Sequence, residues 1–316
     1  MSTPKDPLLE AEAPDRVHYA TGVLLDAADF VAEQSYHRGR LARALAYLHG
    51  FGTVAGLLVH HKPPVNGSAE ELEVKPGIAL DPLGRLVEVP RAACVRVKRW
   101  YEGHDEDVFN GSVVRTDGNY GIGPATGDPY LARGVVADVF LRFSSQPRGK
   151  TPALAAGPFD ATDAVQPARM RDGYELRWVL RTENTVPPVP VAPWPLPEGG
   201  VPFTNPADPS DLVQRRRNVR DTILSSWHDN REAQLEAIRK DTFLPESMRK
   251  DPDTVDGDPD PAWILLARVV IGITAGQTET ADDGTSRPLR NGTVFVDKEH
   301  RPFSLSAAAL SWWLGF

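Results

Sequence analysis

Between Tyr36 and Val59 the chain reads YHRGRLARALAYLHGFGTVAGLLV, a helical pattern that ends at one glycine and passes into a strand with no linker. No other feature constrains the fold as strongly, because a helix docked that closely must lead directly into a sheet. Phe30, His37, Leu41, Leu45 and Leu48 recur at about 3.6-residue spacing, the signature of one apolar helix face. That stripe is expected to pack on the sheet that follows. Asp26 or Asp29 can cap the helix start, since an aspartate accepts hydrogen bonds from the free backbone N–H groups there. Gly50 stops the helix, because glycine adopts the left-handed C-terminal conformation without steric penalty. Gly39, inside the pattern, costs about 1 kcal/mol relative to alanine and invites close approach by a neighbouring backbone.

The segments that follow are short, β-branched and separated by turns: GTVAGLLVH, ELEVKPGIAL, GRLVEVP and ACVRVKRW. In DPLG, Asp81 to Gly84, proline takes the second turn position and glycine the fourth, which predicts a hairpin. Gly50 and Gly52 make the helix-to-strand corner, and Gly56 leaves room for another backbone. GVVADVFLRFS and YELRWVLRT predict two more strands, with SQPRGKTPALAAGPFDATDAVQPARMRD mostly loop between them. A second helical region begins near DPSDLVQRRRNVRDTILSSW, with Ser210 as its cap. AWILLARVVIGIT and NGTVFVD read as late strands, and SLSAAALSWWLGF as a short terminal helix. Helices and strands do not alternate, so the expected class is α+β and mainly antiparallel, with an N-terminal helix and a helical insertion.

The expected organisation has five parts: an N-terminal arm over 1–16, a helix plus β-hairpin unit over 17–100, and strands with long loops over 101–206. A helical insertion follows over 207–245, and strands that complete the β core, with the aromatic tail, over 246–316. The loops are set by 29 prolines and 26 glycines, concentrated in VPPVPVAPWPLPEGGVPFTNPADPSD and KDPDTVDGDPDPA. Such segments continue neither a helix nor a central strand, and the expectation is that neighbouring subunits order them.

Chemistry is harder to find. His37 and His49 stand twelve residues apart, too far for the i, i+4 pair of a helical metal site. His60 and His61 are adjacent on a strand and point to opposite faces. The aspartates of DPDTVDGDPDP do not keep the register of a calcium loop. GNYGIGPATG has the glycines of a phosphate loop without its GK[ST] ending. Cys94, the single cysteine, reads as a buried, inert strand residue. No metal, cofactor or catalytic residue is therefore assigned. A net charge of −8 argues against nucleic acid as a partner. Arg215, Arg216 and Arg217 are instead candidates for pairing with a neighbour's carboxylates. The acidic start lacks a signal peptide's apolar core, and no apolar run approaches the ~18 residues of a membrane span. Cytoplasmic synthesis without membrane insertion is expected. Trp312, Trp313 and Phe316 form an aromatic terminus suited either to a subunit interface or to closing the chain's own core.

Three segments carry a resemblance: YATGVLLDAADFVAEQSYHRGRLARALAYLHGFGTVAGLLV with ELEVKPGIALDPLGRLVEVP, then AWILLARVVIGI, then VFVDKEHRPFSL. Over residues 17 to 100 and 262 to 305 the chain resembles a family of proteins associated with contractile phage-tail-like particles, the contractile injection systems. The resemblance implies a structural part at the baseplate or its periphery, with other particle subunits as partners and a homo-oligomeric state within the assembly. It carries no catalytic role. The alternative is a cell-envelope carbohydrate-binding or hydrolytic accessory module of such a particle, stacking sugars on Trp194, Trp312 and Trp313 beside a carboxylate pair.

Overall fold

A computed structural model describes residues 15–104, 108–109, 114–116, 133–152, 165–181, 213, 217, 244–248, 262–280, 284–298 and 301–304. The protein is α+β, built from antiparallel sheets led by a helix, α1 (Ala27–His49). Asp26 and Asp29 close a capping box: Asp26 Oδ1 accepts from Ala28 N at 2.8 Å, and Asp29 Oδ2 accepts from Asp26 N at 2.9 Å. Gly50 ends the helix at φ 66°, its N–H donating to Ala46 O at 3.0 Å.

Six short strands follow, in two three-stranded antiparallel sheets. The first, in the order β1 (Gly52–Gly56), β4 (Gly77–Leu80), β5 (Leu86–Val89), turns at Asp81–Arg85, and Leu80 stands opposite Leu86. The second has β3 (Glu71–Val74) between β2 (Val59–Lys62) and β6 (Ala93–Arg96). Leu57, at φ 54°, breaks the stretch read as one strand into β1 and β2. The ACVRVKRW stretch also divides. Its strand stops at Arg96 and α2 (Val97–Glu102) begins, burying Val97 and Tyr101 one turn apart. Arg287 holds that turn by donating to the carbonyls of Glu102 and His104 at 2.6 and 3.0 Å.

The third sheet is the largest. β8 (Arg133–Pro152) lies between β10 (Ile264–Thr280) on one side and β7 (Val114–Thr116) and β9 (Val165–Leu180) on the other, and β11 (Ser286–Asp297) forms the far edge. One face of it, with Val139, Leu141, Leu180, Val269 and Ile271, closes a common core with Val59, Leu72, Val74, Val87 and Val89 of the small sheets and with Tyr101 of α2. The opposite face places Phe140 and Leu265 against Leu244, Met248 and Trp263. β10 is therefore buried on both faces over Ile264–Ile273, a run that is apolar but for Arg268 and Gly272. The bulge between Leu265 and Ala267 shifts its register against β8.

The sequence reading of residues 145–172 as mostly loop is corrected. β8 continues to Pro152 and β9 begins at Val165, with Ser145 opposite Asp172 and Arg148 opposite Arg169. Beyond Leu141 β8 pairs, among the described residues, with β9 alone, so the two strands leave the sheet as a ribbon. Pro147 is tolerated there because a strand with one neighbour needs hydrogen bonds on one side only.

Candidate functional site

The turn between β4 and β5 meets α1 at its small residues. Ser35, Ala42 and Ala46 are its buried positions. Asp81, itself fully buried, organises the turn beneath them. Its Oδ1 accepts from Leu83 N at 2.9 Å and Arg85 N at 2.8 Å, and its Oδ2 accepts from Arg85 Nε at 2.6 Å. The turn sets Gly84 at φ 81°, directly under the helix backbone, where a Cβ would lie 1.8 Å from Ala42 O. Only glycine fits both the conformation and the gap. Gly52 meets Pro302 in the same way, with 2.4 Å between a notional Cβ and Pro302 O, and Gly56 meets Pro76 O at 2.3 Å. Arg301 fastens the late chain to this corner, donating to Leu57 O at 3.0 Å and to the Thr53 hydroxyl. Burial lowers the Arg301 guanidinium to a pKa of about 10.

Seated this way, α1 turns its leucine stripe outward, which corrects the expected packing. Phe30 is 54%, Leu41 61% and Leu48 74% exposed, His37 is exposed and Leu45 half-buried. The physical reason is the depth of the contact. Gly84 brings the two backbones together, and only serine and alanine side chains fit between them, so the leucines face away. Sequence periodicity locates an apolar face but does not say what it meets. The paired small residues one turn apart were the available signal for the buried side.

A charged cluster lies across β2 and β3. Glu73 is buried and accepts from Lys62 at 2.5 Å and from Lys75 at 2.6 Å, with His60 Nε2 at 3.2 Å. Hydrogen bonds from Lys62 and Lys75 lower the Glu73 carboxyl to a pKa of about 2. Three residues earlier, just before β3, Glu70 pairs with His61 at 2.8 Å and with Arg290 of β11 at 2.6 Å. These carboxylates serve as the centres of ion pairs, and a base held that far below neutrality is a poor proton acceptor. Cys94 is exposed, not buried as expected, because β6 is the edge strand of its sheet. Partial desolvation and the Glu71 and Glu73 carboxylates push its thiol pKa up, which disfavours the nucleophilic thiolate.

On the far face of the large sheet, Asp138 is fully buried between two buried arginines. Arg181 Nη2 lies 2.6 Å from its Oδ2 and Arg268 Nε 2.9 Å from its Oδ1. Arg142 and Arg177 flank the Trp263 ring at 4.6 and 4.9 Å from its centroid, and Glu175 pairs with both. These groups bind strands to one another.

Of the other residues singled out in the sequence, Arg217 is helical and exposed. Arg215, Arg216, Trp194, Trp312, Trp313, Phe316, the glycine-rich segment 118–127 and the aspartate-rich segment 251–261 lie outside the described residues. Among the described residues no group of three His, Cys, Asp or Glu side chains is placed to hold a metal ion. No described helix is long and apolar enough to cross a membrane.

No family model matches the chain, and no curated protein matches it. Among solved structures, that of TssK aligns with 78% of this chain at 10% identity and a TM-score of 0.26. The aligned part spans 63% of the TssK chain. A superposition that loose carries no argument about function.

Proposed function

We propose that this chain is a structural subunit of a contractile phage-tail-like injection particle, at the baseplate or its periphery, and that it works through subunit contacts and not through catalysis. The family resemblance of residues 17–100 and 262–305 supplies the setting. The observation that carries the reading is α1: a helix fixed to its sheet through a buried glycine contact, with its apolar stripe on the outside. A helix already folded and seated offers a partner an apolar face without an ordering cost. The carboxylates of Glu73 and Asp138 are engaged as ion-pair centres within their sheets, which supports a structural role for them.

The test is incorporation. Leu41→Lys/Leu48→Lys alters two exposed residues and leaves the buried face of α1 intact. Particles purified from cells producing this variant are expected to lack the chain, or to be incomplete, while the variant itself stays folded. Particles that contain the variant at the parental level would overturn the reading.

A further inference from the structure

The register of β8 against β9 places the cations of the ribbon on one face. Residues opposite each other in an antiparallel pair share a face, and the faces alternate along each strand. Arg142 stands opposite Glu175, Gln146 opposite Arg171, Arg148 opposite Arg169 and Lys150 opposite Pro167, so these side chains project from the same side. The other side, through Ser145 opposite Asp172 and Pro147 opposite Met170, carries a single charge, that of Asp172. One three-residue arrangement occurs twice along the basic face, with its central charge inverted. Near the sheet the centre is Glu175: Arg177 follows it by two residues on β9, and Arg142 stands opposite on β8. The Nε atoms of Arg177 and Arg142 lie 2.6 and 2.7 Å from its carboxylate oxygens. Farther out the centre is Arg169, with Arg171 two residues on and Arg148 opposite. Arg148, Lys150, Arg169 and Arg171 are exposed, and among the described residues none of their side chains has an ion-pair partner. Glu88 and Asp172 line a cleft with Arg171, and neither forms an ion pair with it.

We infer that this face, centred on Arg148, Arg169 and Arg171, binds an acidic protein segment in extended conformation, with carboxylates on alternate residues. The inference goes beyond the assembly reading and uses a different surface from α1. Charge complementarity carries it, and the inner arrangement shows what the outer one lacks. A carboxylate sits between Arg142 and Arg177, and the equivalent place farther out holds a third guanidinium. Like charges facing each other across two strands disfavour folding, so a carboxylate brought from outside relieves Arg148 and Arg169 together. A guanidinium fork receives a carboxylate through two parallel hydrogen bonds. Successive rows on one strand face repeat at about 7 Å, which is also the spacing of alternate side chains in an extended peptide. The Gln146–Arg171, Arg148–Arg169 and Lys150 rows therefore match carboxylates on every second residue. Nucleic acid fits less well. Single strands are held by aromatic stacking as well as by charge, and the outer rows offer no ring. Trp263, between Arg142 and Arg177, is buried. The net charge of −8 opposes a long polyphosphate.

Fluorescence anisotropy of the full chain with a labelled synthetic peptide that alternates glutamate and threonine tests the inference. The peptide is expected to bind at low salt. Arg148→Gln/Arg169→Gln/Arg171→Gln is expected to weaken that binding by about tenfold or more and to melt no lower than the parent, since it removes exposed like charges. Parental binding that is absent, or equal to that of the variant, overturns the proposal. An oligonucleotide of the same net charge that binds more tightly than the peptide, and loses its binding in the same variant, identifies nucleic acid as the partner and also overturns it. A second measurement needs no variant. A water-soluble carbodiimide joins a lysine amine to a carboxylate held against it. With the parental chain it is expected to couple the peptide to Lys150 in preference to the exposed Lys98, read by mass spectrometry of the digested adduct. Equal coupling at the two lysines overturns the placement on the ribbon.

Discussion

Single atoms decide the helix corner. Gly84 has a left-handed φ of 81° and no space for a Cβ, which would stand 1.8 Å from Ala42 O. Gly84→Ala therefore strains the turn and lifts α1 together. Its expected cost is about 3 kcal/mol or more, in the range of strained or overpacked core positions, read as a fall in the urea midpoint. An unchanged midpoint would show that α1 is not seated there. Glu73 makes a pH-dependent contribution whose sign follows from its partners. Lys62 and Lys75 hold its pKa at about 2, against 4.5 for the ordinary carboxyl. A group depressed in the folded state contributes its full stability above the unfolded value and loses it as pH falls through the folded one. Between about pH 4.5 and about pH 2 the parent should therefore lose stability more steeply than Glu73→Gln. Melting curves at stepped pH would compare the two, and parallel curves would remove Glu73 from the account.

At the scale of elements, the large sheet depends on a buried charge group as well as on its apolar face. Asp138 of β8 joins Arg268 of β10 to Arg181, which follows β9. Asp138→Asn leaves both guanidiniums buried without their carboxylate. Removing one partner of a buried ion pair costs about 3–5 kcal/mol, and guanidinium denaturation is expected to show a loss of that order. Which elements the sequence disclosed follows from the kind of signal each one carries. β10 begins with a long apolar run interrupted only by Arg268 and α1 is a periodic one, so a late strand and an amphipathic helix were both legible. The Asp81–Gly84 turn was legible from its proline and glycine. The ribbon of β8 and β9 was not, because Pro147, Gly149 and Pro167 are breakers in a central strand and tolerable in an edge. α2 was hidden because Val97 and Lys98 extend a β-branched alternation, and burial of Val97 and Tyr101 overrode it. The direction of the leucine stripe was out of reach for a different reason. Periodicity is a property of the helix alone, and the face that docks was chosen by Gly84 in another segment.

Over the whole molecule, charge and burial separate. The chain carries a net charge of −8, yet the projecting ribbon is basic, with Arg148, Lys150, Arg169 and Arg171 all exposed and Asp172 beside them. Arg148 stands directly opposite Arg169, and like charges facing each other across two strands reduce stability. Charges and prolines on unpaired strand edges also discourage uncontrolled strand addition. Both effects predict that the distal ribbon contributes little to folding: its described residues 148–151 and 167–169 are exposed, they pair on one side only among the described residues, and the common core ends at its base with Phe143 and Tyr174. Replacing residues 148–169 with an Asn-Gly turn should close the shortened hairpin, since that dipeptide matches the twist of paired strands. The melting temperature is expected to stay within about 3 °C of the parent, because the described residues removed are exposed. A large, cooperative fall would place part of the core in the deleted segment. A retained fold would separate the two halves of the architecture physically: sheets and α1 that hold the structure, and a basic arm that stability alone does not require.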